Sequence, residues 1–456
     1  MTNSSEILLN GVKSISCPAD PEEIAEARER ERRLLQEGVV FGDENSTRVP
    51  WLIGVKPYKL SRHEHEVITQ LGAAVFRYFD VVQALYAEGE PTVRAHLDLN
   101  VPNALRGLQL DQRMITARLD LVMRDGSLFI IEVEEIYGDV GKIHAMQRAY
   151  GTNHDALFDS FAKLGLSHIY VDDFVRNYHP ELRLLQRRMA ESFQQSVLID
   201  YFSDFPPHQR GTIWRFCYTK DFRQYPPAHQ ERIVRAPCMF INPLFHGYGT
   251  KAILALAFHP SLASELSARL GSHSYSVLLN GLPHSQLIEN DPPKEFVEQL
   301  ILGHKTCVLK LVDCHESPNF AWGSRGVFFG DRSATRWRKI VTEALDGNIP
   351  GQSPSIEARF MVSELIESDR FDVRFWEPET QTIKLMPRAR ARIAPIFFRD
   401  ERGVHLVSGH ATFVNTSRKV HLGSHAVCSP LDWERDSSPP PDEDTTDVRE
   451  QSRLWR

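Results

Sequence analysis

The 456-residue chain has no apolar run near the roughly 18–20 residues that a bilayer-spanning helix needs, so no transmembrane segment is expected. Its first residues, Met1 to Gly11, lack a basic stretch followed by a long apolar core, so no secretory leader is expected there. Six cysteines (Cys17, Cys217, Cys238, Cys307, Cys314, Cys428) are scattered without a Cys-x-x-Cys pair, which fits a reduced cytoplasmic protein with free thiols. A formal net charge of −7 leaves no basic excess, so nucleic acid is not expected as a partner, and without a spanning apolar run neither is a membrane. There is no internal repeat and no Gly-x-x-x-x-Gly-Lys-Ser/Thr phosphate loop. His63-Glu64-His65-Glu66 lacks the His-Glu-x-x-His spacing and sits at a helix start, where it reads as capping. No Ser-His-Asp or Cys-His arrangement stands out. What remains is ordinary globular composition, 42% hydrophobic and 25% charged, with length for two or three packed subdomains.

Against that background the stretch from Arg118 to Gly141 carries the most chemistry. Leu119, Leu121 and Met123 alternate with polar or charged neighbours, and Asp125-Gly126 supplies the turn of a β-hairpin. The returning strand is apolar from Leu128 until Glu132 and Glu134. Residues two apart on a strand face the same side, so these two carboxylates share a face, and hairpin pairing brings Asp120 toward them. Three carboxylates held together repel one another unless a cation lies between them, and hard oxygen donors suit Mg²⁺ bound to phosphate. The competing reading is three solvated acids near a hairpin end.

The rest of the chain supplies elements in sequence. Residues 1–20 read as a loose arm, and Pro21 to about Gln36 as a highly charged helix rich in i,i+4 pairs. Ser61 and Glu64 form a capping box ahead of a helix with Val67, Leu71, Val75, Phe79, Val82 and Leu85 on its apolar side. Lys142 to Leu164 reads as one helix, and residues 182–196 as another. Val197–Phe202, Thr212–Tyr218 and Cys238–Asn242 read as strands of a small α/β layer. Lys251 heads an apolar helix. Lys310 ends a strand, and Gly323-Ser324-Arg325-Gly326 follows in a loop. Small residues let backbone N–H groups approach phosphate while a lysine neutralises its charge, although a surface turn also explains such a loop. Glu357 lies in a further strand. Phe371–Phe375 and Ile383–Arg392 read as paired strands, with Arg388, Arg390 and Arg392 alternating onto one face as candidate phosphate or carboxylate contacts or as an exposed basic face. His405, His410, His421 and His425 lack zinc-site spacing. They read instead as part of a sheet that reaches the active-site wall with Thr412 and Asn415. From Asp432 onward, charge and proline predict disorder.

Arg-x-Asp at 118–120 followed by Glu-x-Glu at 132–134 resembles the metal-binding end of an ATP-grasp fold. The segments Asn-Pro…Lys251 and Val-Leu-Lys310…Gly-Ser-Arg-Gly resemble its nucleotide-binding part. Here the carboxylates precede the lysines, the order of the circularly permuted ATP-grasp enzymes related to glutathionylspermidine synthase. Glu134 stands where that family usually has Asn. The resemblance implies an α+β class: a circularly permuted ATP-grasp fold with a small α/β layer. It divides the chain into an arm and charged helix (1–60), a metal-binding half (61–181), the α/β layer (182–250), a lysine, lid and hinge subdomain (251–362), a C-terminal sheet (363–431) and a tail (432–456). It also implies an ATP-dependent carboxylate–amine ligase working through an acyl phosphate. In that scheme Asp120, Glu132 and Glu134 hold Mg²⁺, and Arg118 stabilises the phosphoryl group. Lys251, Lys310, Gly323, Ser324 and Gly326 contact ATP, with Glu357 at the adenine. Substrates would be a small-molecule carboxylate and amine, whose identities stay open, as does the oligomeric state. The alternatives are a degenerate nucleotide- or partner-binding module and a small-molecule kinase.

Overall fold

The computed structural model describes residues 7–9, 12–40, 48–98, 101–108, 112–152, 155–173, 178–289, 291–314, 326–330, 333–351 and 358–434. It is mixed α+β, built on three sheets. The largest has ten strands and centres on the 19-residue strand Thr382–Asp400. The first half of that strand pairs with Arg370–Glu377, and its second half with Gly403–Val414. Leu52–Gly54 and Val427–Asp432 link those two partners, so the pairings run in a closed circuit. The hairpin of Thr116–Arg124 and Ser127–Glu134 branches from the same long strand, with Ile393 opposite Leu121 and Ile396 opposite Arg118.

Alternation along Thr116–Arg124 sorts its side chains. Ala117, Leu119, Leu121 and Met123 join the main hydrophobic core, shared with Phe76 and Phe79 of helix Arg62–Glu88. Arg118, Asp120 and Val122 take the other side and line a cavity. The helix opens with the expected capping box: the Glu64 amide donates to Ser61 Oγ at 3.2 Å, and the Ser61 amide to Glu64 Oε2 at 2.7 Å. Gly72 lets the helix settle on the sheet, because a Cβ there would lie 2.3 Å from the Phe397 ring.

The second sheet is wholly parallel, in the order Met239–Ile241, Thr212–Phe216, Leu166–Val171, Leu198–Tyr201. All three strands expected in the α/β layer are in it, and Leu166–Val171 joins them from earlier in the chain. The third sheet orders Ser285–Leu287, Ala358–Glu364, Cys307–Cys314 and Val327–Phe329 in antiparallel fashion. Helices Lys294–Leu302 and Ala334–Leu345 pack beside it, where buried Trp337 donates to the Leu300 carbonyl at 2.9 Å.

Several sequence expectations are corrected. The arm at 1–20 contributes strand Val12–Ser16, which pairs with Lys384 and Leu385. The expected helix from Lys142 to Leu164 is two helices, Val140–Tyr150 and Ala156–Lys163, because Gly151 turns left-handed at φ 69° and caps the first. Lys251 heads a helix of only five residues, Ala252–Leu256. Lys310 lies inside Cys307–Cys314, paired with both Val327 and Met361, and does not end the strand. Asp432 completes a strand and Trp433 is buried; the tail beyond Glu434 lies outside the described residues. No described helix is long and apolar enough to cross a membrane.

One buried side chain ties the hairpin to the parallel sheet. Asn242 Oδ1 accepts from the amides of Ile115 (2.8 Å) and Thr116 (3.0 Å), and its Nδ2 donates to the carbonyls of Thr116 (2.7 Å) and Glu135 (2.8 Å). It holds a left-handed backbone at φ 61°, which asparagine tolerates better than other non-glycine residues. Asn242→Ala strands buried backbone donors and adds backbone strain. It should lower unfolding free energy by about 3 kcal/mol or more in urea titrations, and a loss under about 1 kcal/mol would show that the hairpin is anchored elsewhere.

Candidate functional site

The three carboxylates meet as the hairpin register requires. Asp120 pairs with Glu132 and Arg118 with Glu134, and a bulge follows Asp120. One oxygen from each of Asp120, Glu132 and Glu134 lies within 4.8 Å of the others. Cations surround them. Arg118 Nε and Nη2 bind both oxygens of Asp120, at 2.7 and 3.2 Å, and Arg392 Nη1 reaches Asp120 Oδ2 at 3.0 Å. Lys251 Nζ meets Glu132 Oε1 at 2.5 Å. The Tyr218 hydroxyl donates to Glu134, and Arg118 Nη2 stands 4.0 Å from the same carboxylate.

Burial, then the neighbouring Glu132, pushes the Glu134 carboxyl up to about 7. Burial would also lift Asp120, but Arg118 and Arg392 outweigh it and hold that carboxyl below its usual range. Burial works against the Lys251 ammonium as well, yet Glu132 raises it. Clustered hard oxygen donors, one of them short of a compensating charge, fit a divalent cation such as Mg²⁺.

Beside the carboxylates lies a cavity of about 310 Å³. Its apolar slot, lined by Val122, Ile131, Val308, Val327, Leu365 and Ile366, opens between the third sheet and the hairpin. Lys310 sits in this wall and donates to the Ile131 carbonyl at 2.9 Å. Burial pushes its ammonium down to about 8. An apolar wall leading to two lysines and clustered carboxylates can hold an aromatic base at one end and polyphosphate at the other.

Arg118, Asp120, Glu132, Glu134, Lys251 and Lys310 therefore line one cavity. Gly323, Ser324 and Glu357 lie outside the described residues, and Gly326 immediately precedes strand Val327–Phe329. Arg390 and Arg392 also line the cavity, but Arg388 is exposed. A bulge opposite Phe371 and Val373 breaks the alternation that would have put all three arginines on one face, and Arg388 takes φ 50°. His410 is fully buried beside Arg392, Arg118 and Asp120; burial and those arginines hold its imidazole well below the usual range. His421 reaches the cavity, while His405 pairs with Asp400. Asn415 binds the Lys13 backbone instead of forming the wall. Sequence reasoning missed Tyr218 and the slot around Leu365 and Ile366. The apolar pair after Glu364 was the one available signal.

No known protein family matches the sequence, and no curated protein does. Solved structures do. A glutathione synthetase-like effector from Globodera pallida, in apo form, is 11% identical, with 91% of this chain and 98% of that chain covered and a TM-score of 0.54. The fold is similar to that of this glutathione synthetase-like effector. A protein named as a gamma-glutamylcysteine synthetase, from Methylobacillus flagellatus, is 12% identical, with 84% of this chain and 93% of that chain covered and a TM-score of 0.40.

Lys310 gives a pH test that needs no ligand. Its folded value near 8 lies below the 10.5 of a free lysine, so the folded state is penalised for holding the proton below pH 8. Between those values the unfolded chain binds more protons, and stability must rise with pH. Without nucleotide, wild-type stability relative to Lys310→Met should gain about 1–3 kcal/mol between roughly pH 8 and 10 in urea titrations. Parallel pH profiles would place the Lys310 ammonium in water.

Proposed function

We propose that the protein is an ATP-dependent ligase of the permuted ATP-grasp type, joining a small-molecule carboxylate to an amine. The observation that carries this reading is the convergence of Asp120, Glu132 and Glu134 with Lys251 and Lys310 in one cavity, across the hairpin, the helix start at 251 and the third sheet. The chain order, carboxylates before lysines, supports the permuted arrangement. The fold shared with a glutathione synthetase-like protein supports the ligase class. On this reading residues 61–181 bear the metal site and 251–362 the nucleotide site, with Gly323, Ser324 and Gly326 in the lid. The adenine lies in the slot beside Leu365 and Ile366, near the end of the strand that follows Glu357.

A carboxylate resists attack by an amine because its leaving group would be oxide. Its oxygen therefore attacks the γ-phosphorus of ATP, the bond to the β-phosphate oxygen breaks, and ADP leaves. The amine nitrogen then adds to the acyl phosphate carbon, and the carbon–oxygen bond to phosphate breaks; inorganic phosphate leaves with an oxygen from the acid, while the nitrogen gives up one proton. Asp120, Glu132 and Glu134 would hold Mg²⁺, which neutralises phosphate charge when bound. Lys251 and Lys310 bind phosphate oxygens. Arg118, its fork fixed by Asp120, keeps a permanent positive charge at the centre and stabilises the phosphoryl group in transfer. The low dielectric of the buried site strengthens these contacts.

The rival reading, a nucleotide-binding module without turnover, draws on the two guanidiniums already seated on Asp120. Activity decides between them. Asp120→Asn and Glu132→Gln should each lower Mg²⁺-dependent ATP turnover by about 100-fold or more while the fold is retained. With ¹⁸O in the substrate carboxylate, label should appear in inorganic phosphate alongside ADP. AMP with pyrophosphate would rule out attack on the γ-phosphorus, and a phosphorylated product that never forms amide would indicate a kinase.

A further inference from the structure

One wall of the cavity gathers several cationic side chains around the carboxylate of Glu367. Arg390 and Arg392 stand two residues apart on Thr382–Asp400, and both line the cavity. Arg418, Lys419 and His421 border them. The carboxylate shared by Arg390 and Arg418 is Glu367, which lies 2.7 Å from Arg418 Nη2 and 3.7 Å from Arg390 Nη2. Arg370 also faces this group, and burial followed by the charges of Arg370 and Arg418 pushes the Arg390 guanidinium below its usual range. Arg390 is held weakly for a side chain this enclosed. Its other contact among the described residues is a 3.4 Å bond from Nη1 to the Ser417 carbonyl, and its buried Nε has no hydrogen-bond partner among them. Desolvated guanidinium donors left in this state are costly unless an anion completes them.

We propose that Arg390 and Arg418 form a binding site for a second anionic group on the acid substrate, so that this substrate is a dianion. The inference rests on the ligase reading for which end of the acid reacts. Arg392 touches Asp120 and marks the reacting end. Arg390 lies one strand repeat further, about 6–7 Å away. That span fits two anions separated by a short chain. The distal anion is a carboxylate or a phosphate-type group, since a guanidinium fork takes either. Lys419 adds charge at the rim.

Calorimetry without ATP tests the site independently of turnover, using glutarate and 4-phosphonobutyrate as dianions and butyrate as the single-charge control. At least one dianion should bind wild type about tenfold tighter than butyrate, and Arg390→Gln should abolish that preference. Arg388→Gln, on the exposed bulge, should leave it unchanged. Binding of a nonhydrolysable ATP analogue reports whether each variant is folded, and Arg418→Gln replaces Arg390→Gln if that variant fails. A preference for glutarate identifies a carboxylate, and one for the phosphonate a phosphate-type group. Equal binding of butyrate and both dianions, or a preference that survives the loss of Arg390, overturns the proposal. If the dianion preference holds but no ATP analogue binds to wild type, the anion site stands and the ligase reading falls.

Discussion

Like-charge repulsion among Asp120, Glu132 and Glu134 is the constraint around which the site is built. The hairpin register forces these carboxylates together whatever else the chain does. At such distances in a partly desolvated setting, each pair opposes the others by several kcal/mol at an effective dielectric near 20. The surrounding elements answer with cations: Arg118 from the same strand, Arg392 from the long strand beside it, and Lys251 from a helix start. The balance is incomplete at Glu134, whose hydroxyl donor Tyr218 carries no charge. Arg118 reaches that carboxylate only at 4.0 Å, so Glu134 is the most weakly compensated of the three, at the point where the cavity meets the carboxylates.

Holding charges in this arrangement needs a stiff frame, and the frame is polar as well as apolar. Asn242 clasps both ends of the hairpin through backbone groups. Beside it the fully buried Arg215 binds Glu135 and donates to the Cys217 carbonyl at 2.6 Å. Such a pair gains little over well-packed apolar residues, but losing one member strands a buried charge. Its consequence here is geometric. Glu134 precedes Glu135 directly, and Tyr218 follows Cys217, so the buried pair sets the two residues that meet at the cavity edge. The parallel sheet positions the site without lining most of it.

The legible part of this structure was local. Alternation in Leu119–Met123 and Glu132–Glu134, with the Asp125-Gly126 turn, contained the carboxylate cluster almost entirely, since a tight hairpin leaves little choice of register. The capping box at Ser61 was similarly self-contained. Other signals were present but outweighed in reading. Val12 and Ser14 are buried between less buried neighbours as strand alternation requires, and Gly151-Thr152 interrupts the helical run from 142 to 164. Arg388 shows the opposite case. Its alternation with Arg390 and Arg392 was real in sequence, and a bulge decided by pairing with Phe371 and Val373 overrode it.

What lay beyond reading was everything that depends on two distant segments choosing one another. Tyr218 reaches Glu134 across 84 positions, and Lys310 reaches Ile131 across 179. Neither contact has a periodicity or a motif of its own. The apolar wall of the cavity is a harder case still, because Val122, Val308 and Leu365 are unremarkable as residues and become a surface only when the third sheet lies against the hairpin. Charged groups announce themselves because few positions tolerate their burial, whereas an apolar wall looks like core until a gap is found in front of it. A sequence can therefore disclose the reacting end of such a cavity well before it discloses what the cavity is shaped to hold.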